Sequence, residues 1–100
     1  MKKGMTRLSI MRLLEKNKKT LRKLGVKKIG LFGSYLHGTQ RRRSDLDFLV
    51  DLRRVHFDEY MDLKFFLEKT FRKKVDLVIK GDLKPAMQYV KKEAQYAKGL

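Results

Sequence analysis

Two aspartates one residue apart, Asp45 and Asp47, stand at the start of the apolar segment LDFLVDL, which is typical of a buried strand. Side chains at i and i+2 of a strand share one face and lie about 6 to 7 Å apart along the chain. Two carboxylates at that distance repel each other, and partial burial raises the cost of their charge. A cation between them would relieve the repulsion. Mg²⁺ is the natural choice, because one or two carboxylates hold it together with phosphate oxygens and water.

A third carboxylate, Asp76, interrupts another apolar segment, VDLVI. It is the candidate to complete a site for two Mg²⁺ ions, which lie about 3.5 to 4 Å apart where they clamp the attacking and leaving oxygens of a displacement at phosphorus. The three aspartates are therefore predicted to be both metal ligands and catalytic residues.

Gly33 and Ser34 follow a further apolar segment and offer a place for phosphate. A glycine lets the backbone approach a phosphate closely, and the N–H groups at the start of a short helix point towards an anion. Arg41, Arg42 and Arg43 lie between this turn and the aspartates. The fork-shaped guanidinium pairs well with phosphate, so Gly33, Ser34 and Arg43 are the candidate phosphate-binding residues.

Each of these features has a simpler explanation when it is taken alone. A glycine-serine pair is usually only a turn, and a run of arginines is usually a solvated loop. Charged side chains on a strand also prevent a sheet edge from pairing with another chain, and Asp76 could be a hydrogen-bonded structural acid. The combination is more specific than any part, since Gly-Ser, ten residues, Asp-x-Asp and an isolated aspartate fall on or beside three successive predicted strands.

The pattern of apolar residues predicts the elements that position these side chains. Spacings of three and four predict helices over 6–24 and 57–71, and short apolar segments predict strands over 26–32, 46–52 and 75–79. Ser34 is expected to cap a brief helix through Gly38, and Pro85 suits the first turn of a last helix to about Ala97. The core positions expected in the second long helix are Phe57, Met61, Leu63, Leu67 and Phe71.

The composition favours a small domain with an anionic partner. The 100 residues carry a formal net charge of +15, and residues 1–28 hold eleven basic residues against the single acid Glu15. Such an excess attracts nucleic acid, nucleoside triphosphates or an acidic protein. The length predicts one domain over 1–100, with a basic N-terminal helix within 1–25 and a catalytic core over 26–97.

The chain has no cysteine, which excludes disulfides and thiolate metal sites. No apolar run approaches the roughly 18 residues of a membrane span. The basic N-terminus is not followed by the apolar stretch of a secretory signal. A cytoplasmic protein without membrane contact is therefore expected.

The combined motifs resemble the nucleotidyltransferase superfamily that includes DNA polymerase beta. Its signature is Gly-Ser, a loop, Asp-x-Asp and a later acidic residue, matched here by Gly33, Ser34, Asp45, Asp47 and Asp76. The short length is similar to that of the minimal nucleotidyltransferases, and the resemblance extends from about Val26 to Ala94. It implies an α/β (α+β) fold in which a small mixed sheet of three or four strands packs against helices.

The resemblance also implies a reaction, in which a hydroxyl attacks the α-phosphate of ATP and pyrophosphate leaves. Asp45 and Asp47 would bind both Mg²⁺ ions, Asp76 would bind the catalytic ion and could act as base, and Ser34 would hold the terminal phosphates. Minimal nucleotidyltransferases are commonly antitoxins that add AMP to a tyrosine of a partner HEPN-domain toxin. A HEPN toxin and a nucleoside triphosphate are thus the implied partners.

One position departs from the family pattern, and two other functions stay open. Many relatives have a small residue and then arginine before the second glycine, where this chain has Leu36 and His37. An antitoxin could also neutralise its partner by binding alone. A protein that binds or modifies RNA is less favoured, because no aromatic residues alternate with the basic ones to stack bases.

Overall fold

The computed structural model describes residues 4–100, so Lys2 and Lys3 of the basic N-terminal segment lie outside the described residues. Strands β1, β2 and β3 and helix α4 have the predicted bounds. Single 3₁₀ turns cover Lys80–Asp82 and Pro85–Met87. In chain order the helices and strands are α1 (Arg7–Lys16), α2 (Lys18–Lys23), β1 (Val26–Phe32), α3 (Ser34–His37), β2 (Leu46–Leu52), α4 (Phe57–Phe71), β3 (Val75–Ile79), α5 (Val90–Glu93) and β4 (Gln95–Tyr96).

The strands form one mixed sheet in the order β3-β2-β1-β4. Strand β1 is antiparallel to β2 and β4, whereas β2 and β3 are parallel. The C-terminal end of β1 therefore meets the N-terminal ends of β2 and β3 at one end of the sheet, here called the aspartate end. A small mixed sheet packed with helices confirms the predicted fold class.

The core lies between the sheet and the longer helices. Leu46, Phe48 and Val50 alternate along β2 and are fully buried, as their spacing predicts. The Phe48 ring packs against Phe71 at the end of α4, with 5.5 Å between the ring centroids. Leu49 is also buried, so the middle of β2 is covered on both faces. No helix within residues 4–100 is long and apolar enough to cross a membrane.

The predicted helix over 6–24 is interrupted at Asn17. This residue has φ −100° and ψ 17°, which separates α1 from α2. Its side-chain amide donates a hydrogen bond to the Leu13 carbonyl at 2.8 Å. Asparagine side chains compete in this way with the backbone for hydrogen-bond partners. The spacing of apolar residues alone therefore does not predict the break.

The predicted last helix from Pro85 to Ala97 is wrong. A 3₁₀ turn begins at Pro85, α5 covers only Val90–Glu93, and the backbone becomes extended at Ala94. Gln95 and Tyr96 then pair with Leu31 and Gly30 of β1. The Tyr96 ring packs over Gly30, where an added Cβ would lie 2.9 Å from Tyr96 Cδ1. Sheet pairing and this ring contact outweigh the local preference for helix.

Two smaller predictions were also wrong. Phe57, the first residue of α4, is 76% exposed rather than in the core. Gly33, not Ser34, occupies the N-cap of α3, and no side chain caps this helix. Ser34 is instead the first helical residue. The glycine takes the cap because the chain needs a backbone conformation there that serine rarely adopts.

Candidate active site

The turn after β1 places Gly33 against Asp47. Gly33 has φ 75° and ψ −152°, a backbone region that residues other than glycine essentially avoid. A Cβ at this position would lie 2.9 Å from Asp47 Cγ and would overlap its Oδ2. The glycine thus allows both the sharp exit from β1 and the close approach of the backbone to a carboxylate.

Ser34 begins α3 directly after this turn. The Leu36 and His37 N–H groups donate to the Gly33 carbonyl, at 3.1 and 3.2 Å. The first N–H groups of a helix have no intrahelical acceptor, so those of Ser34 and Tyr35 are suited to an external anion. The half-buried Ser34 side chain stands at the same place.

The sheet register brings two of the three aspartates side by side. Asp47 pairs with Phe32 of β1 on one side and with Asp76 of β3 on the other. Adjacent strands lie about 4.8 Å apart, so the Asp47 and Asp76 backbones are direct neighbours. Asp45 immediately precedes β2 and is exposed, as is Asp76, while Asp47 is half-buried. All three predicted acids therefore meet Gly33 and Ser34 at the aspartate end.

Helix α4 supports the outer strand β3 beside Asp76. The Tyr60 hydroxyl donates to the Leu77 carbonyl at 2.6 Å. Burial, followed by the negative charge of Asp76, raises the pKa of Tyr60. The Tyr60 hydroxyl therefore keeps its proton, and its hydrogen bond to β3, to a higher pH than an ordinary tyrosine.

The carboxylates at the aspartate end form no close ion pair with a basic side chain of the described residues. Burial, and then the negative charges of Asp76 and Asp45, raise the pKa of Asp47 from 3.8 to about 6. Within the part of the chain that the structure describes, the one contact within 4.0 Å between a basic or imidazole nitrogen and a carboxylate oxygen joins His37 to Glu93. No arginine or lysine there forms an ion pair with the aspartates. A cation from solution would lower the repulsion among them.

The aspartates can supply some, but not all, of the ligands that a Mg²⁺ ion needs. In residues 4–100, no three His, Cys, Asp or Glu side chains are arranged to hold a metal ion by themselves. Mg²⁺ is usually bound by one or two carboxylates plus substrate phosphates and water, rather than by an all-protein cage. Asp47 with Asp76 or Asp45 can supply such carboxylates. The donor chemistry and the uncompensated charge therefore fit the ion together with a phosphate-bearing substrate.

Arg43 lies in the exposed turn two residues before Asp45. The turn is closed by the Arg41 N–H, which donates to Ser44 Oγ at 2.8 Å, and by the Ser44 N–H, which donates to the Arg41 carbonyl at 3.0 Å. Among the hydrogen bonds of the described residues, none involves the Arg43 side chain. The structure thus places Arg43 near the aspartate end without assigning it a contact.

The C-terminal segment adds residues that sequence patterns did not connect with the site. The His37 ring at the end of α3 pairs with the Glu93 carboxylate of α5. These two residues and Gly33 line a cleft of about 160 Å³ together with Phe32, Met87, Tyr89 and Val90. No local signal pointed to Glu93, because the segment around it was predicted as a continuous helix.

Comparisons with known proteins agree with this geometry. A family model described as a nucleotidyltransferase domain matches residues 10–98, which include Gly33, Ser34 and the three aspartates. A protein of Methanocaldococcus jannaschii, provisionally assigned as a protein adenylyltransferase, is 41% identical over 90 residues, covering 86% of this chain and 88% of that protein. The protein adenylyltransferase MntA of Thermococcus cleftensis is 40% identical over 74 residues, covering 72% of this chain and 75% of that protein.

A solved structure shares the fold as well as part of the sequence. The crystal structure of a toxin-antitoxin with AMP-PNP superposes with a TM-score of 0.71 and 28% sequence identity. The match covers 90% of this chain and 73% of that chain. Sequence and fold comparisons therefore lead to the same group of proteins.

Proposed function

This chain belongs to the nucleotidyltransferase domain family, and from that membership we propose that it is an antitoxin that transfers AMP from ATP to a tyrosine of a HEPN-domain toxin. Its similarity to a protein adenylyltransferase and to a toxin-antitoxin with AMP-PNP supports this choice of reaction and partner. One observation of this chain carries the proposal. Asp45, Asp47 and Asp76 lie beside Gly33 and Ser34 at one end of the sheet. Because the reaction consumes ATP, we propose that it takes place in the cytoplasm.

The proposed transfer exchanges one phosphorus–oxygen bond for another. The tyrosine oxygen attacks the α-phosphorus of ATP, the bond from that phosphorus to the bridging oxygen of the β-phosphate breaks, and pyrophosphate leaves. Asp76, exposed on the outer strand β3, would accept the tyrosine proton. An acceptor hydroxyl can reach Asp76 from solvent because this carboxylate lies at the sheet edge.

The phosphates would be held at the start of α3. The free N–H groups there and the Ser34 hydroxyl would donate to the terminal phosphates, and Arg43 would pair with a further phosphate oxygen. Asp45, Asp47 and Asp76 are the residues that would hold two Mg²⁺ ions. Bound Mg²⁺ would stabilise the negative charge that develops on the phosphate oxygens. Asp47 must be ionised for this role, so Mg²⁺ would compete with the proton whose binding the raised pKa favours.

The experiment is intact-mass spectrometry of the HEPN partner after incubation with this chain, ATP and Mg²⁺. The partner is expected to gain one or more AMP units, and the Asp45→Asn/Asp47→Asn variant is expected to lose this activity. Asp51→Asn is the matched control, because Asp51 lies on the same strand but at the opposite end of the sheet. It should modify the partner at the wild-type rate.

Two results would count against the proposed function. Persistent AMP transfer by the double variant would show that Asp45 and Asp47 are not needed for the reaction. An unmodified partner that still forms a stable complex with the wild-type chain would mean that the aspartates serve another acceptor or that the chain neutralises its partner by binding alone.

A further inference from the structure

A cluster of basic side chains lies at the end of the sheet opposite to the aspartates. Arg22 and Lys23 at the end of α2 and Arg53 and Arg54 after β2 line a cleft of about 380 Å³, here called the basic cleft. All four side chains are exposed. Lys27 and Lys28, also exposed, follow at the start of β1. The proposed reaction with ATP uses none of these residues.

The sheet ladder brings the two basic segments together. Gly25 turns the chain from α2 into β1 with φ 91°, and Val26 pairs with Leu52. The Arg53 N–H then donates to the Gly25 carbonyl at 2.9 Å. Strands of this length extend for about 20 Å. The basic cleft is therefore far from Gly33 and Asp47, and it cannot hold the phosphates of an ATP bound there.

The basic cleft carries more positive than negative charge. Four basic side chains line it together with two acidic ones, Glu59 and Asp62. Within residues 4–100, neither acid forms an ion pair within 4.0 Å. The Arg22 guanidinium donates to the Gly99 carbonyl, which is a neutral acceptor. An excess of positive charge, to which the exposed Lys27 and Lys28 add, raises the local concentration of anions.

The lining of the cleft indicates which anion it suits. Guanidinium groups match the geometry of phosphate oxygens. The side chains of the cleft include no aromatic ring, so it offers no platform on which single-stranded bases could stack. Double-stranded nucleic acid presents phosphates at high density, about one charge per 1.7 Å in DNA, without requiring base contacts. We infer that the basic cleft binds the phosphate backbone of a nucleic-acid duplex without reading its sequence.

The test compares two variants that lose the same types of charge. Lys23→Gln/Arg53→Gln/Arg54→Gln removes one lysine and two arginines from the basic cleft. Arg7→Gln/Arg12→Gln/Lys69→Gln removes the same set from exposed positions that do not line it. Fluorescence anisotropy measures binding of the full chain to short RNA and DNA duplexes of unrelated sequences, at salt concentrations from about 50 to about 200 mM.

The wild-type chain is expected to bind duplexes of different sequence equally well, with affinity that falls steeply as salt rises. The slope of log K against log salt should decrease by about three in the cleft variant, or about one per lost phosphate contact, and stay close to wild type in the control variant. The ratio of RNA to DNA affinity then identifies the preferred duplex. Equal losses in both variants, or no duplex binding by the wild type at low salt, would overturn the inference.

Binding by the basic cleft and AMP transfer are separable in the same preparations. The cleft variant should modify the HEPN partner at the wild-type rate, because none of its substituted residues belongs to the candidate active site. The Asp45→Asn/Asp47→Asn variant should bind duplexes with at least wild-type affinity, since it loses only negative charge. Failure of one proposal can thus be distinguished from failure of the other.

Discussion

The substitution Gly33→Ala tests how the turn after β1 positions the carboxylate of Asp47. The alanine Cβ would lie 3.1 Å from Asp47 Cβ and 2.9 Å from its Cγ, and would overlap Oδ2. Asp47 is fixed to the central strand β2 between β1 and β3. Its side chain must therefore rotate away, or the turn must move.

The expected effects on stability and on activity differ in size. A non-glycine residue in this backbone region costs about 1 to 3 kcal/mol. For a domain of this length, about 1 kcal/mol corresponds to a decrease of about 4 to 8 °C in Tm, so the Tm of Gly33→Ala should be lower by about 4 to 24 °C. A catalytic group displaced by about 1 Å typically costs about 100-fold in rate. AMP transfer should fall by that order even where the variant is fully folded.

Gly38→Ala is the matched control. Gly38 also has a positive φ, 73°, but a Cβ there would meet nothing within 4 Å. It should lose about 1 to 2 kcal/mol from backbone strain and keep its activity. Circular dichroism gives the two Tm values, and single-turnover transfer of AMP to the HEPN partner is measured well below both. Equal rates for the two variants would refute the role of Gly33 in positioning Asp47.

Two further predictions concern charge and the core. Because the pKa of Asp47 is raised from 3.8 to about 6, the folded state binds its proton more tightly, so the metal-free protein should lose stability as pH rises from about 4 to about 6. Asp47→Asn should remove this component in urea denaturation at several pH values; an unchanged pH profile would contradict the prediction. Phe48→Ala, at a fully buried ring, should reduce the free energy of unfolding by about 3 to 5 kcal/mol. Phe57→Ala, at a ring that is 76% exposed, should change it by less than about 0.5 kcal/mol in the same assay, and equal losses would contradict this contrast.

Where the sequence pattern of an element is local, its first and last residues could be predicted. Strands β1, β2 and β3 and helix α4 begin and end where the apolar pattern predicts, because each pattern reports one buried face or one buried segment. The break at Asn17 depends on a side-chain hydrogen bond to the backbone. Strand β4 depends on a distant partner, Gly30, which leaves room for the Tyr96 ring. Apolar spacing carries neither kind of information.

The residues of the candidate site were proposed from equally local features of the sequence. Gly33, Ser34 and the three aspartates are recognisable by residue type and spacing alone. Their arrangement in space depends on the parallel pairing of β2 with β3 and on the register that sets Asp47 beside Asp76. Partial burial, and then this proximity to Asp76, raise the pKa of Asp47.

The net charge of +15 was equally evident from composition, but composition does not say where the charge is concentrated. Arg22 and Arg54 are 32 positions apart in the chain, and the antiparallel ladder between β1 and β2 brings their segments to one cleft. Residue types and periodicity thus specify which groups can do chemistry and which faces are buried. Strand order and register specify which of those groups meet, because hydrogen bonds between strands join segments that have no local relation in the sequence.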